Sequence, residues 1–146
     1  MMKSLSKFFE KLRIQLAWLP PLVTRLSVGW VFLESGYGKL NHLDKVREFF
    51  ESLGIPAASI QAPFVAGVEL LGGILLIVGA WTRIASLPLI GVMIVAIKTA
   101  KSAELEGFSD LFGLSEYLYV LLLIWLAIQG AGALSVDGLF SRKKKA

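Results

Sequence analysis

A chain of 146 residues that is 55% hydrophobic, with a mean hydropathy of +0.69, is too apolar for a soluble domain of its size and belongs in a bilayer. Its net charge of +4 and pI near 9.5 report orientation in that bilayer, and the lack of a basic surface independent of the apolar runs excludes nucleic acid as a partner. The absence of cysteine excludes a disulfide, a thiol relay and a thiolate-held iron–sulfur cluster within this chain, and its single histidine cannot supply both axial ligands of a haem.

The first element is amphipathic. In KSLSKFFEKLRIQLAWL, Leu5, Phe8, Phe9, Leu12, Leu16 and Leu19 recur at helical spacing, while Lys3, Lys7, Lys11 and Arg13 are available to anionic headgroups. This predicts an interfacial helix over 1–21, ended by Pro20 and Pro21. No cleavable signal peptide is expected, since a basic tip followed by a purely apolar core is missing. A membrane span needs about 20 mostly apolar residues, and the runs 22–40, 62–81, 84–100 and 117–136 approach or meet that length. Between the first two runs lies HLDKVREFFESLG, which places Leu43, Val46, Phe49, Phe50 and Leu53 on one side and is closed by Gly54 and Pro56. His42, at its start, reads as a loop or helix-cap residue. The gap between Trp81 and Ile84 allows only a hairpin. The predicted fold is all-α: a four-helix transmembrane bundle over 22–140, an N-terminal interfacial helix, a short amphipathic helix between spans one and two, and a basic tail over 141–146.

Four spans put Lys3, Lys7, Lys11, Arg13, Arg25, Arg83, Arg142, Lys143, Lys144 and Lys145 on one side, ten of the fifteen Lys and Arg residues. Lys39, Lys45, Arg47, Lys98 and Lys101 fall on the other. The positive-inside rule then places both termini in the cytoplasm.

Charges within the spans are the candidate site. Each costs about 2.5–3.5 kcal/mol on insertion scales, so each is expected to face protein or water and to have a partner. Glu34 and Glu69 lie seven residues in from Asn41 and Ala62, roughly 10 Å below the outer surface. Lys98 and Lys101 approach that surface from span three, and Glu116, Tyr117 and Tyr119 begin span four. Small residues flank Glu69 on its helix face, so Glu69 is expected to point into the bundle with Lys98 as its counter-ion. Arg25, Gly29, Phe32, Gly36 and Lys39 form one stripe of span one. Glu34 sits about 140° from Lys39 around the helix, so the two do not neutralise each other, and one of them must look toward another helix, a lipid-headgroup defect or a second protomer. These residues define a proposed outer-leaflet polar pocket of Glu69, Lys98, Lys39, Glu34, Tyr117 and Tyr119, with no metal centre. At the cytoplasmic end Arg25, Arg83 and Asp137 are expected to form a salt-bridged clamp. Glu34 and the small-residue step Ala127–Ala131 suggest a homodimer.

The combination RLSVGWVFLESGYGKL, an amphipathic piece ending ESLGIP, then VELLGGILLIVGAWTRIASLPL and LSVDGLF resembles the DoxX family of small bacterial membrane proteins, from about Leu22 to Phe140. The matching positions are Arg25, Gly29, Gly36 and Lys39; Glu69, Gly72 and Gly73; Thr82 and Arg83; and Asp137. Glu34, the basic N-terminal helix and the basic tail lie outside that pattern. The family includes a membrane subunit of thiosulfate:quinone oxidoreductase and proteins linked to oxidative-stress complexes. The resemblance therefore implies the bacterial cytoplasmic membrane and a redox partner protein or a quinone. Three readings stay open: a quinone-linked subunit of a redox system, which the resemblance implies, a non-catalytic assembly or scaffold subunit, and a small-solute transporter. The last has little room for a route between four helices, with Pro88 the only evident kink.

Overall fold

The computed structural model describes residues 2–143, with side chains described for 5–141. The basic tail from Lys144 onward lies outside the described residues, as do the side chains of Lys3, Arg142 and Lys143. Among the described residues all regular structure is helical: α1 (Met2–Leu16), α2 (Leu19–Asn41), α3 (Leu43–Ser52), α4 (Ala58–Val78), α5 (Thr82–Thr99), α6 (Phe108–Leu111), α7 (Ser115–Gln129) and α8 (Val136–Lys143), with a 3-10 turn at Ser102–Glu104. Two helices, α4 and α5, are long and apolar enough to cross a membrane, and a third if α1 and α2, bent by 44° at their junction, count as one span.

Local chemistry sets the helix ends, and several differ from the sequence expectation: the span expected over 62–81 runs as a helix over Ala58–Val78. Pro20 and Pro21 do not stop the first helix; it breaks at Ala17–Trp18, and the prolines sit in the first turn of α2, where no helical N–H is needed. The fourth apolar run, expected over 117–136, ends as a helix at Gln129. Gly130 and Gly132 take positive φ there (84° and 80°), and the chain re-enters a helix only at Val136. That leaves α7 15 residues, about 22 Å, long.

Helix α2 packs along α4, α5 along α7, and the α4–α5 and α2–α7 contacts close a ring; α3 rests on α4. The α2–α4 contact is a backbone approach. A Cβ on Gly73 would stand 2.7 Å from the Gly29 carbonyl oxygen and against the Leu33 amide, and one on Gly36 would stand 2.8 Å from the Ala66 oxygen and against the Leu70 backbone. Only glycine fits at these crossings, as at small-residue interfaces between membrane helices. Phe32, Leu76, Leu89, Leu123 and Leu126 fill the centre, while Trp30, Phe64, Leu71, Ile84, Leu87 and Ile128 point outward. Large apolar groups outside and Arg25, Glu69, Thr82 and Ser86 inside are the distribution a lipid solvent selects.

Candidate functional site

The glycine crossings fix the register of the site. With Gly36 against Ala66 and Leu70, and Gly73 between Gly29 and Leu33, Glu34 and Glu69 share a level. They do not share an environment. Glu69 is completely buried, whereas Glu34 is exposed and has no ion pair among the described residues, so the expectation of two buried carboxylates is corrected to one.

The partner of Glu69 is Lys39. Its Nζ lies 2.5 Å from both Oε1 and Oε2, donating two of its three N–H groups to the one carboxylate. The Lys39 side chain keeps 28% of its surface accessible. Lys98, the counter-ion expected from the sequence, is exposed and makes no ion pair with Glu69. Helix α2 lies directly on α4 through its glycines, so the lysine two residues from the end of α2 reaches a carboxylate one turn deeper. A desolvated pair with this geometry offsets its burial cost only because both oxygens are satisfied.

The pair stands at the edge of a cavity of about 730 Å³. Its walls are apolar side chains of α4 and α5, chiefly Phe64, Val65, Val68, Val92 and Val95, with Phe32 of α2. Helix α3 roofs it with Val46, Phe49 and Phe50, the apolar side legible in its sequence. Polar groups are few: Lys39 and Glu69 inside, with Ser35, Lys45, Gln61, Thr99, Glu116 and Tyr119 also lining it. Mostly apolar walls with a few fixed polar groups are what a small-molecule site requires. Tyr119 meets Phe32 edge-on at 6.1 Å, while Tyr117 stacks edge-on against Phe112 at 5.4 Å and does not line the cavity. Neither does Lys98. Glu34 lines a neighbouring groove of about 450 Å³, which shares Lys39, Val31, Ser35 and Val46 with the cavity. The sequence reading missed Gln61 and Thr99, neutral side chains near the helix ends that carry no signal of their own.

Two other polar groups end helices. His42 follows the last residue of α2 and its Nδ1–H donates to the Gly38 carbonyl at 3.0 Å. Lys101, beyond α5, lies 2.8 Å from Glu104, and that hydrogen bond holds its ammonium above the ordinary lysine pKa.

At the other end of the ring the expected clamp has a different chemistry. Arg25, 4% exposed, forms no ion pair with Asp137. Its guanidinium donates to the carbonyls of Leu76 and Ile77 in the last turn of α4, the former shared with the Gly79 amide, and to that of Leu134. The Asp137 carboxylate accepts the Trp81 and Thr82 amides at 2.8 and 3.0 Å, capping α5 from a distant segment. Between them the hairpin turns through Gly79 and Trp81, both at positive φ. Arg83 is exposed, its guanidinium lying over Gly130. Two helix-end caps thus replace the salt-bridged cluster of Arg25, Arg83 and Asp137.

Residues 21–102 match the DoxX family model. The chain is 33% identical to CatD of Bacillus subtilis, which is named as a candidate oxidoreductase, over 85% of this chain and 89% of that one. It is 35% identical to an uncharacterized membrane protein of Mycobacterium tuberculosis (87% and 86% covered) and 28% identical to the inner membrane protein YqjF of Escherichia coli (84% and 92%). No solved structure matches it.

Proposed function

The chain belongs to the DoxX family, and from that premise we propose a bacterial inner-membrane subunit of a redox system that binds a quinone, or a comparable lipid-soluble ligand, between its helices. The observation that carries the reading is the Lys39–Glu69 pair standing at the edge of a drug-sized apolar cavity. The name of the Bacillus subtilis relative points the same way. In this reading α2, α4, α5 and α7 are four spans with both termini cytoplasmic, α1 lies in the membrane interface, and the cavity opens in the outer half.

A quinone, when bound, supplies reversible acceptance of two electrons and two protons; the electrons come from a redox partner protein. The third N–H of Lys39 is available to hold a carbonyl oxygen, and the two hydrogen bonds to Glu69 orient that ammonium. A carboxylate beside an ammonium in apolar surroundings can also pass a proton. Tyr119 and Phe32 offer ring faces on the adjacent wall.

The test is the quinone content of purified protein. Glu69→Gln removes the anion and is expected to lose bound quinone. Because a broken buried pair costs about 3–5 kcal/mol, the double variant Lys39→Met with Glu69→Leu, which keeps an apolar fill, separates folding from binding. Full quinone content in a folded double variant would end the reading. A second reading, a non-catalytic assembly subunit, is favoured by Glu34: an exposed carboxylate in the outer half of a spanning helix, with no ion pair among the described residues, calls for a neighbouring chain, such as a second copy in a homodimer.

A further inference from the structure

We infer that the cleft between the outer halves of α4 and α5 is a lateral portal, through which a ligand carrying a long acyl or isoprenoid tail reaches the cavity from the bilayer hydrocarbon and leaves its tail there. The inference rests on the cavity being a ligand site and adds the route and the ligand class.

Helices α4 and α5 touch near their hairpin, where the Leu89 side chain sits 2.9 Å from the position of a Cβ on Gly72. Farther along they leave the cavity between them, and its wall there is also outer surface. Phe64 on α4 (66% exposed) and Val95 on α5 (49%) each both line the cavity and face outward, as do Pro88 and Gly91. Gly91 forms the threshold: a Cβ there meets nothing within 4 Å. Pro88, one turn earlier, cannot donate to the Ile84 carbonyl and adds no side chain long enough to cross the gap.

Depth decides what such an opening admits. Gly91 lies nine residues, about 14 Å, from the start of an 18-residue helix about 27 Å long, which is mid-span. An opening there faces acyl chains, where a solute bearing charge is excluded and an apolar tail is at no disadvantage. The polar lining groups Lys45, Gln61 and Thr99 lie toward the helix ends, at the α3 roof. A cavity of about 730 Å³ holds a drug-sized body, so a longer tail must leave through a gap, and the gap with apolar rims is this one. The ligand class is therefore an amphiphile with a hydrogen-bond-accepting head for Lys39 and a tail that stays in lipid.

The experiment uses full-length protein in phosphatidylcholine vesicles, with decylubiquinone as probe and saturable quenching of tryptophan fluorescence as readout. Gly91→Leu fills the threshold without a clash and is expected to weaken binding by about tenfold or more, with an unfolding midpoint no lower than the parent's. Gly67→Leu, equally free of neighbours but outside the cavity wall, is expected to bind as the parent does. In addition, a nitroxide on Gly91→Cys, unique in a chain without cysteine, is expected to be relaxed by oxygen dissolved in lipid and not by a water-soluble nickel chelate. Relaxation by the chelate, parental affinity in Gly91→Leu, or an equal loss in Gly67→Leu each overturns the portal while leaving a quinone site standing. No saturable quenching in the parent removes the quinone reading, and the portal with it.

Discussion

Asp137 is the residue whose chemistry most exceeds its charge. Its carboxylate closes the two amides that begin α5, and its own amide donates to the Gly79 carbonyl at 3.0 Å, so one residue ties the α4–α5 turn to the start of α8. Asparagine has one acceptor oxygen and no charge to set against the helix dipole. Asp137→Asn is expected to cost about 1 kcal/mol, read as a lowered midpoint of thermal unfolding in detergent; an unmoved midpoint would mean that the turn holds without this cap. At this scale the sequence discloses positions better than partners. Helical phase was enough to set Glu34 apart from Lys39 and to turn Glu69 inward. It could not choose between Lys39 and Lys98, because that depends on α2 lying directly on α4 while α5 stands across the cavity from it. Nor could it distinguish an Arg–Asp bridge from two separate helix caps, since carbonyls and amides carry no sequence label.

Between elements, the decisive contact is the glycine crossing of α2 and α4, which sets the height of Lys39 above Glu69. A methyl group added at Gly36 or Gly73 meets backbone rather than a flexible side chain, so the helices must separate. Gly36→Ala and Gly73→Ala are each expected to cost about 1–3 kcal/mol, whereas Gly38→Ala, in the same helix and open to its surroundings, should be neutral or slightly stabilising. Thermal unfolding of the three variants in one detergent checks this, and equal behaviour of all three would show that the crossing tolerates spreading. The stripe of Gly29, Gly36 and Arg25 was legible because the period of a helix is fixed. Helix ends were less so: hydropathy runs straight through Gly130 and Gly132, where positive φ ends α7, and it cannot tell prolines that stop one helix from prolines that start the next.

For the whole molecule, the 15 residues of α7 decide whether the number of spans is odd or even. About 22 Å of helix is shorter than a hydrocarbon core of about 30 Å. Two features nonetheless favour a crossing. Helix α7 packs along α5, whose 18 residues do suffice, and the segment after Gln129 returns to the hairpin end, where Leu134 meets Arg25 and Asp137 meets Trp81. A chain that began α7 near Thr99 and ends beside Trp81 has traversed the length of α5, with local thinning of the bilayer as the accommodation. In the proposed four-span arrangement both termini share a side, the one holding most of the basic residues. The absence of cysteine makes this measurable without removing any native thiol. In whole cells, an impermeant maleimide should label Ser59→Cys and Ser102→Cys, whereas Glu10→Cys and Ser141→Cys should react only after permeabilisation. If Ser141→Cys were labelled from outside while Glu10→Cys stayed protected, α7 would not cross. The described contacts between Asp137 and the α4–α5 turn would then have to form at the opposite membrane surface, which an 18-residue α5 does not permit.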